Sequence, residues 1–82
     1  MSVSDEFGEV VRRIVGERSQ RQVAVETQIS QGTVCNMVRG IVPSRRLLLQ
    51  FADALEVRGK VRRDLFRTAG YVERVQAAEV LA

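Results

Sequence analysis

Between Ser19 and Gly40 the chain carries short polar side chains spaced so that several share one face of a helix. After Gln28 and Ile29, Ser30 can accept from the free N–H groups that open a helix, and Val34, Met37 and Val38 then fall on one side of it at i, i+3 and i+4. At about 3.6 residues per turn, Gly32, Asn36 and Arg39 lie on the opposite side, open to a ligand. The chemistry of that face is hydrogen bonding and charge. The amides of Gln31 and Asn36 both donate and accept, as the N6/N7 edge of adenine requires, and Thr33 can touch a thymine methyl or a phosphate. A solvated helix also presents glutamine, threonine and asparagine, so the residues alone leave both readings open.

Other chemistry finds little support. The chain has no histidine, no paired carboxylates beyond Asp5 and Glu6, no glycine-rich phosphate loop and no GxSxG element, so an enzyme is not expected. With one cysteine, Cys35, there is no internal disulfide and no Cys/His metal site, and no cofactor is implied. Cys35 fits a redox switch less well than a small structural thiol, the commoner use of such a residue.

The elements that must position this face are helices. A preceding helix over 20–27 is signalled by Val23, Ala24 and Thr27 on one side, and Ser19 with Gln22 makes a capping-box pattern at its start. Before it, Phe7, Val11 and Ile14 recur at i, i+4 and i+7 with Val10 beside them; Ser4 can cap this first helix, and Gly16 ends it. The third helix runs over 31–39 and stops at Gly40. Pro43 keeps Val42 extended, Ser44 offers a cap, and Leu48, Ala52 and Leu55, flanked by Phe51, predict a fourth helix over 45–56 broken by Gly59. Val61, Leu65, Phe66 and Ala69 predict a fifth closed by Gly70, and the stretch from Tyr71 to Ala82 can add a short sixth. Phe7, Phe51, Phe66 and Tyr71 sit at helical spacing and are expected in the core rather than as base-stacking platforms. No stretch alternates long enough for a strand, so the class is all-α.

Eighty-two residues make one domain with one modest core, and 45% hydrophobic content argues against disorder. No run approaches the roughly 18 apolar residues of a membrane span, and the acidic start lacks the form of a secretory signal, so a soluble, cytoplasmic protein is expected. The net charge is +3, a mild hint of a polyanion partner. Its distribution says more. Arg18, Arg21, Arg39, Arg45 and Arg46 face the single acid Glu26 over 18–46, whereas Arg58, Lys60, Arg62, Arg63 and Arg67 are diluted by Glu56 and Asp64 and read as a solvated face.

In order and spacing, Val23-Ala24, Ile29-Ser30, Thr33-Val34, Arg39-Gly40, Pro43-Ser44, Leu48, Phe51-Ala52 and Ala54-Leu55 resemble the phage-repressor-like, xenobiotic-response-element type helix-turn-helix DNA-binding family, and 65–71 is similar to the fifth-helix ending of many bacterial members. The resemblance spans Phe7 to Tyr71 and implies a compact five-helix lambda-repressor-like domain that binds double-stranded DNA. It implies a nucleoid-associated transcriptional regulator, a repressor from a bacterium or phage, that grips a palindromic operator as a homodimer through the major groove, with the 71–82 tail available for dimer contacts. The second helix of the motif would enter the groove, with Gln31, Thr33 and Asn36 as base readers. Ser19, Gln20, Ser30, Arg39, Arg45 and Arg46 would hold the DNA backbone, with Gln20 also buttressing Gln31. Ala24 is where the motif wants a small side chain. Three residues depart from the pattern. Gln28 replaces the turn glycine at an expected cost of about 1 kcal/mol, Val38 replaces a position often acidic, and Gly32 replaces a longer reading residue. Two other readings fit the same features: a protein-interaction module such as an antitoxin or adaptor, using the tail or the region of Val25 and Val42, and the N-terminal DNA-binding domain of a larger regulator.

Overall fold

A computed structural model describes residues 4–71 of the chain. It is all-α, with helices α1 (Asp5–Val15), α2 (Gln20–Thr27), α3 (Gln31–Val38), α4 (Arg45–Ala54) and α5 (Gly59–Thr68). The expected sixth element and the tail assigned to dimer contacts lie outside the described residues. Among the described residues no helix is long and apolar enough to cross a membrane.

Serine chemistry sets where four of these helices begin. The hydroxyls of Ser4, Ser19, Ser30 and Ser44 accept the N–H of Phe7, Gln22, Thr33 and Leu47 at 3.2, 3.0, 3.2 and 3.3 Å, each satisfying a donor that the first turn leaves free. The capping box at Ser19 is only half formed. The Gln22 side chain turns forward to Glu26 Oε1 at 3.4 Å and does not reach back to the cap.

Helix α4 ends two residues earlier than its apolar spacing predicts. Glu56 adopts φ 53°, its N–H donates to Asp53 O at 3.2 Å, and the Val57 N–H donates to Ala52 O at 2.8 Å. This pair of bonds is the Schellman closure, here built on a residue other than glycine, and it carries Val57 into the core. Gly59 correspondingly opens α5 instead of breaking α4.

The core lies where the apolar stripes meet. Phe7, Val11, Val23, Val34, Met37, Leu48, Phe51, Leu65 and Phe66 are buried, α2 packs on α3 and α4, and α1 packs on α3 and α5. The three phenylalanines are core residues as expected. Tyr71 is half-buried and donates its hydroxyl to Pro43 O at 2.7 Å, tying the end of α5 to the α3–α4 connection. Two stripes shift by a residue: Val15 is buried while Ile14 is only partly so, and Val61 is exposed.

One contact requires backbone to meet backbone. Gly40 has φ +95°, and its carbonyl accepts the Ser4 N–H at 2.8 Å; a β-carbon on Gly40 would stand 2.6 Å from Ser4 O. A β-carbon on Gly8 would stand 3.1 Å from Gly40 Cα. Gly32, by contrast, has nothing within 4 Å of where a β-carbon would be. Gly40→Ala is therefore expected to destabilise the fold by about 2–4 kcal/mol, through both the clash and the left-handed backbone. Gly32→Ala should stabilise it by about 0.5–1 kcal/mol through helix propensity. Chemical denaturation of the two variants beside the parent protein measures both, and equal effects at the two glycines would refute the packing assignment.

Candidate nucleic-acid interface

Helices α2 and α3 are joined by Gln28, Ile29 and Ser30, and each has a distinct task. Gln28 reverses the chain with φ 59° and ψ 30°, the left-handed conformation expected of the position where the resembled motif has glycine. Ile29 is buried and pins the turn to the core, and Ser30 caps α3. The short connection fits the three- to four-residue turn by which helix-turn-helix pairs are joined.

Two side chains hold this turn: Thr27, expected only as part of the inner side of α2, and Gln50, which the sequence expectation does not include. Thr27 is buried; its hydroxyl donates to Val23 O at 2.7 Å and accepts the Ile29 N–H at 3.3 Å. From α4, Gln50 Nε2 donates to Thr27 O at 2.8 Å and to Gln28 O at 3.3 Å. At the other end of α3, Arg12 Nη1 donates to Val38 O at 2.6 Å, placing a cation against the negative end of the helix. Spacing within a helix signals none of the long-range bonds made by Gln50 and Arg12. A polar Gln50 interrupting RRLLLQFADAL is the one hint available.

With α3 held this way, Val34 and Met37 are buried, and Gln31, Gly32, Asn36 and Arg39 are exposed together on the far side. Thr33 is half-buried, and its Oγ1 accepts from the Ser30 hydroxyl at 2.8 Å. Ser30 therefore spends its hydrogen on Thr33 and its lone pair on the cap, and the Ser19 hydroxyl is likewise engaged as a cap. Gln20 is half-buried at the first position of α2, and no hydrogen bond joins it to Gln31 among the described residues. Cys35 is half-buried and free.

The charges divide as their acidic neighbours dictate. In and before α5, Arg58 pairs with Glu56 at 3.9 Å, Arg62 with Asp53 at 3.1 Å and Arg67 with Asp64 at 3.4 Å, and Arg62 lies 5.3 Å from the Phe66 ring centre. Three cations of that cluster are thus paired with carboxylates, while Lys60 and Arg63 have no ion pair among the described residues. In the motif, Arg18 pairs with Glu26 at 3.4 Å, whereas Arg21, Arg39, Arg45 and Arg46 have no ion pair among the described residues. The Arg45 Nε is buried without a hydrogen-bond partner. Chemically, the exposed side of α3 can exchange hydrogen bonds through two amides, and the unpaired guanidiniums can bind anionic oxygens.

The Thr27 hydroxyl gives a direct test of how the turn is built. Thr27→Val keeps the shape but leaves the Ile29 N–H without its acceptor, and is expected to cost about 1–3 kcal/mol in chemical denaturation. A change within experimental error would show that the hydroxyl does not hold the turn.

Compared with protein-family models, curated proteins and solved structures, the chain matches none of them.

Proposed function

We propose that this protein is a sequence-specific double-stranded DNA-binding regulator that presents α3 to the major groove. The observation that carries the reading is the coincidence on one short unit of an exposed hydrogen-bonding face, Gln31, Asn36 and Arg39, with guanidiniums that no carboxylate pairs among the described residues. A solvated helix face has no need of unpaired cations in and just beyond it in the chain, whereas a phosphate backbone supplies the missing anions and gains affinity by counterion release.

In this reading Gln31 and Asn36 meet base edges, Thr33 contributes its methyl, and the bare backbone at Gly32 comes close to the DNA. Arg39, Arg45 and Arg46 clamp phosphates together with Gln20 and the capped helix starts at Ser19 and Ser30, fixing register without reading sequence. A homodimer would place two copies of α3 in successive major grooves about 34 Å apart and read a palindromic operator. Repression at such an operator, in the cytoplasm and at the nucleoid, is the simplest regulatory use. For a protein-interaction module the described residues offer Val25, 73% exposed on α2, as a lone apolar side chain of the kind ordinary surfaces carry, with Val42 half-buried against the core, while the tail lies outside them.

Selection from random duplex DNA is expected to recover a salt-sensitive palindrome, and recovery of no enriched sequence would overturn the reading. On the selected site, Arg46→Ala should weaken binding to all sequences alike and lower the salt slope by about one unit. Asn36→Ala should instead relax preference at one base position by about 1–3 kcal/mol. Equal loss on every sequence would remove Asn36 from the readers.

A further inference from the structure

We infer that Gln50 is a positioning residue: it supplies from α4 the C-terminal cap that α2 does not make for itself, and so fixes the direction in which α3 leaves the turn. The last carbonyls of a helix have no partner within it and must find one. In α1, α3, α4 and α5 the backbone provides it. Gly16 N–H reaches Arg12 O, Ile41 N–H reaches Asn36 O, Val57 N–H reaches Ala52 O and Tyr71 N–H reaches Phe66 O, at 2.8–2.9 Å. After α2 none of the following N–H groups, those of Gln28, Ile29 and Ser30, makes such a backbone bond among the described residues, and the Ile29 N–H donates to the Thr27 hydroxyl.

The carbonyls of Thr27 and Gln28 go to Gln50 Nε2 instead. Gln50 is well placed to impose a geometry, since its neighbours Leu48, Phe51 and Ala52 are fully buried and make α4 a fixed platform. What it holds is a residue that does not favour its own conformation: Gln28 sits at φ 59° with a β-carbon. Released from Gln50, Gln28 can relax toward the right-handed region, and even a small rotation there swings the whole of α3. A glycine at position 28 occupies the left-handed region readily, so the clamp should matter less in that background.

Hydrogen exchange of backbone amides, followed by NMR on the full chain without DNA, tests this. Gln50→Glu keeps the side chain's length and shape but, ionised, cannot donate, so a packing role would not register the change and a capping role would. The Ile29 and Thr33 amides are expected to exchange about tenfold faster in Gln50→Glu while those of α5 stay unchanged, and the acceleration should shrink when Gln28→Gly is added. Unchanged exchange at Ile29, an equal acceleration in both backgrounds, or a uniform acceleration across every helix would each overturn the inference. The consequence for base preference rests on the DNA reading and has its own arm. Gln50→Ala, which alters no charge, should lower affinity for a selected site several-fold and leave non-specific affinity unchanged; loss of neither would overturn control of the α3 direction. If the parent protein selects no sequence, the DNA reading fails, and the exchange data still decide whether Gln50 caps α2.

Discussion

An isolated helix of eight residues does not hold together in water, and α3, with Gly32 and the β-branched Thr33, Val34 and Val38, is a poor candidate even among short helices. Its existence therefore depends on what grips it. Val34 and Met37 anchor one side in the core, but two buried side chains leave a short rod free to rock about its contact. The ends remove that freedom. At the N-terminal end the turn is pinned by buried Ile29, the Ser30 cap and the Thr27 and Gln50 bonds. At the C-terminal end, Ser4, Gly8 and Arg12, successive positions on one face of α1, meet Gly40 O, the Gly40 backbone and Val38 O. Backbone packed on backbone tolerates little displacement, because no side chain is present to yield.

The same economy appears in the charges. Helix α1 carries Asp5 and Glu6 in its first turn and Arg12 and Arg13 in its last, each complementary to the helix dipole. Arg45 and Arg46 do the opposite, placing two cations at the positive end of α4 with only the Ser44 cap to offset them. Surface ion pairs such as Arg58–Glu56 contribute little to stability, so the contrast between the two basic clusters matters for the field they project more than for folding. Acids placed beside Arg58, Arg62 and Arg67 reduce that field, whereas among the described residues no ion pair reaches Arg39, Arg45 or Arg46. An arrangement that works against a helix dipole and is left unpaired has no folding rationale, which is why it weighs in favour of an anionic partner.

How much of this was legible in the sequence follows from how local each interaction is. Helix starts were legible because Ser4, Ser19, Ser30 and Ser44 each bond three residues ahead, and the three phenylalanines because burial follows helical spacing. The left-handed turn at Gln28 was legible only through the resemblance, since nothing about a glutamine announces it. Where the expectation failed, a competing interaction won. The apolar period of α4 runs on to Leu55, but burial of Val57 and the bond to Ala52 O close the helix earlier, and Gln22 prefers a neighbour one turn ahead to its own cap. The bonds that orient α3, from Arg12 and Gln50 across separations of 26 and 23 residues, leave no periodic trace. They are properties of the assembled fold.

The glycines divide in the same way, by what surrounds each of them. Gly8 and Gly40 are explained by packing, since a β-carbon on either would strike backbone. Gly32 is not. It lies inside a short helix, in open space, where alanine would favour the fold by about 0.5–1 kcal/mol. Neither packing nor a positive φ asks for glycine there, so the folded chain supplies no explanation for it. Under the proposed function one is available: at the first turn of a helix in the major groove, an absent side chain lets the backbone itself approach the DNA. The face then reads with Gln31 and Asn36 on either side of a bare patch, and much of the discrimination falls to the width and flexibility of the groove that the flanking arginines can grip.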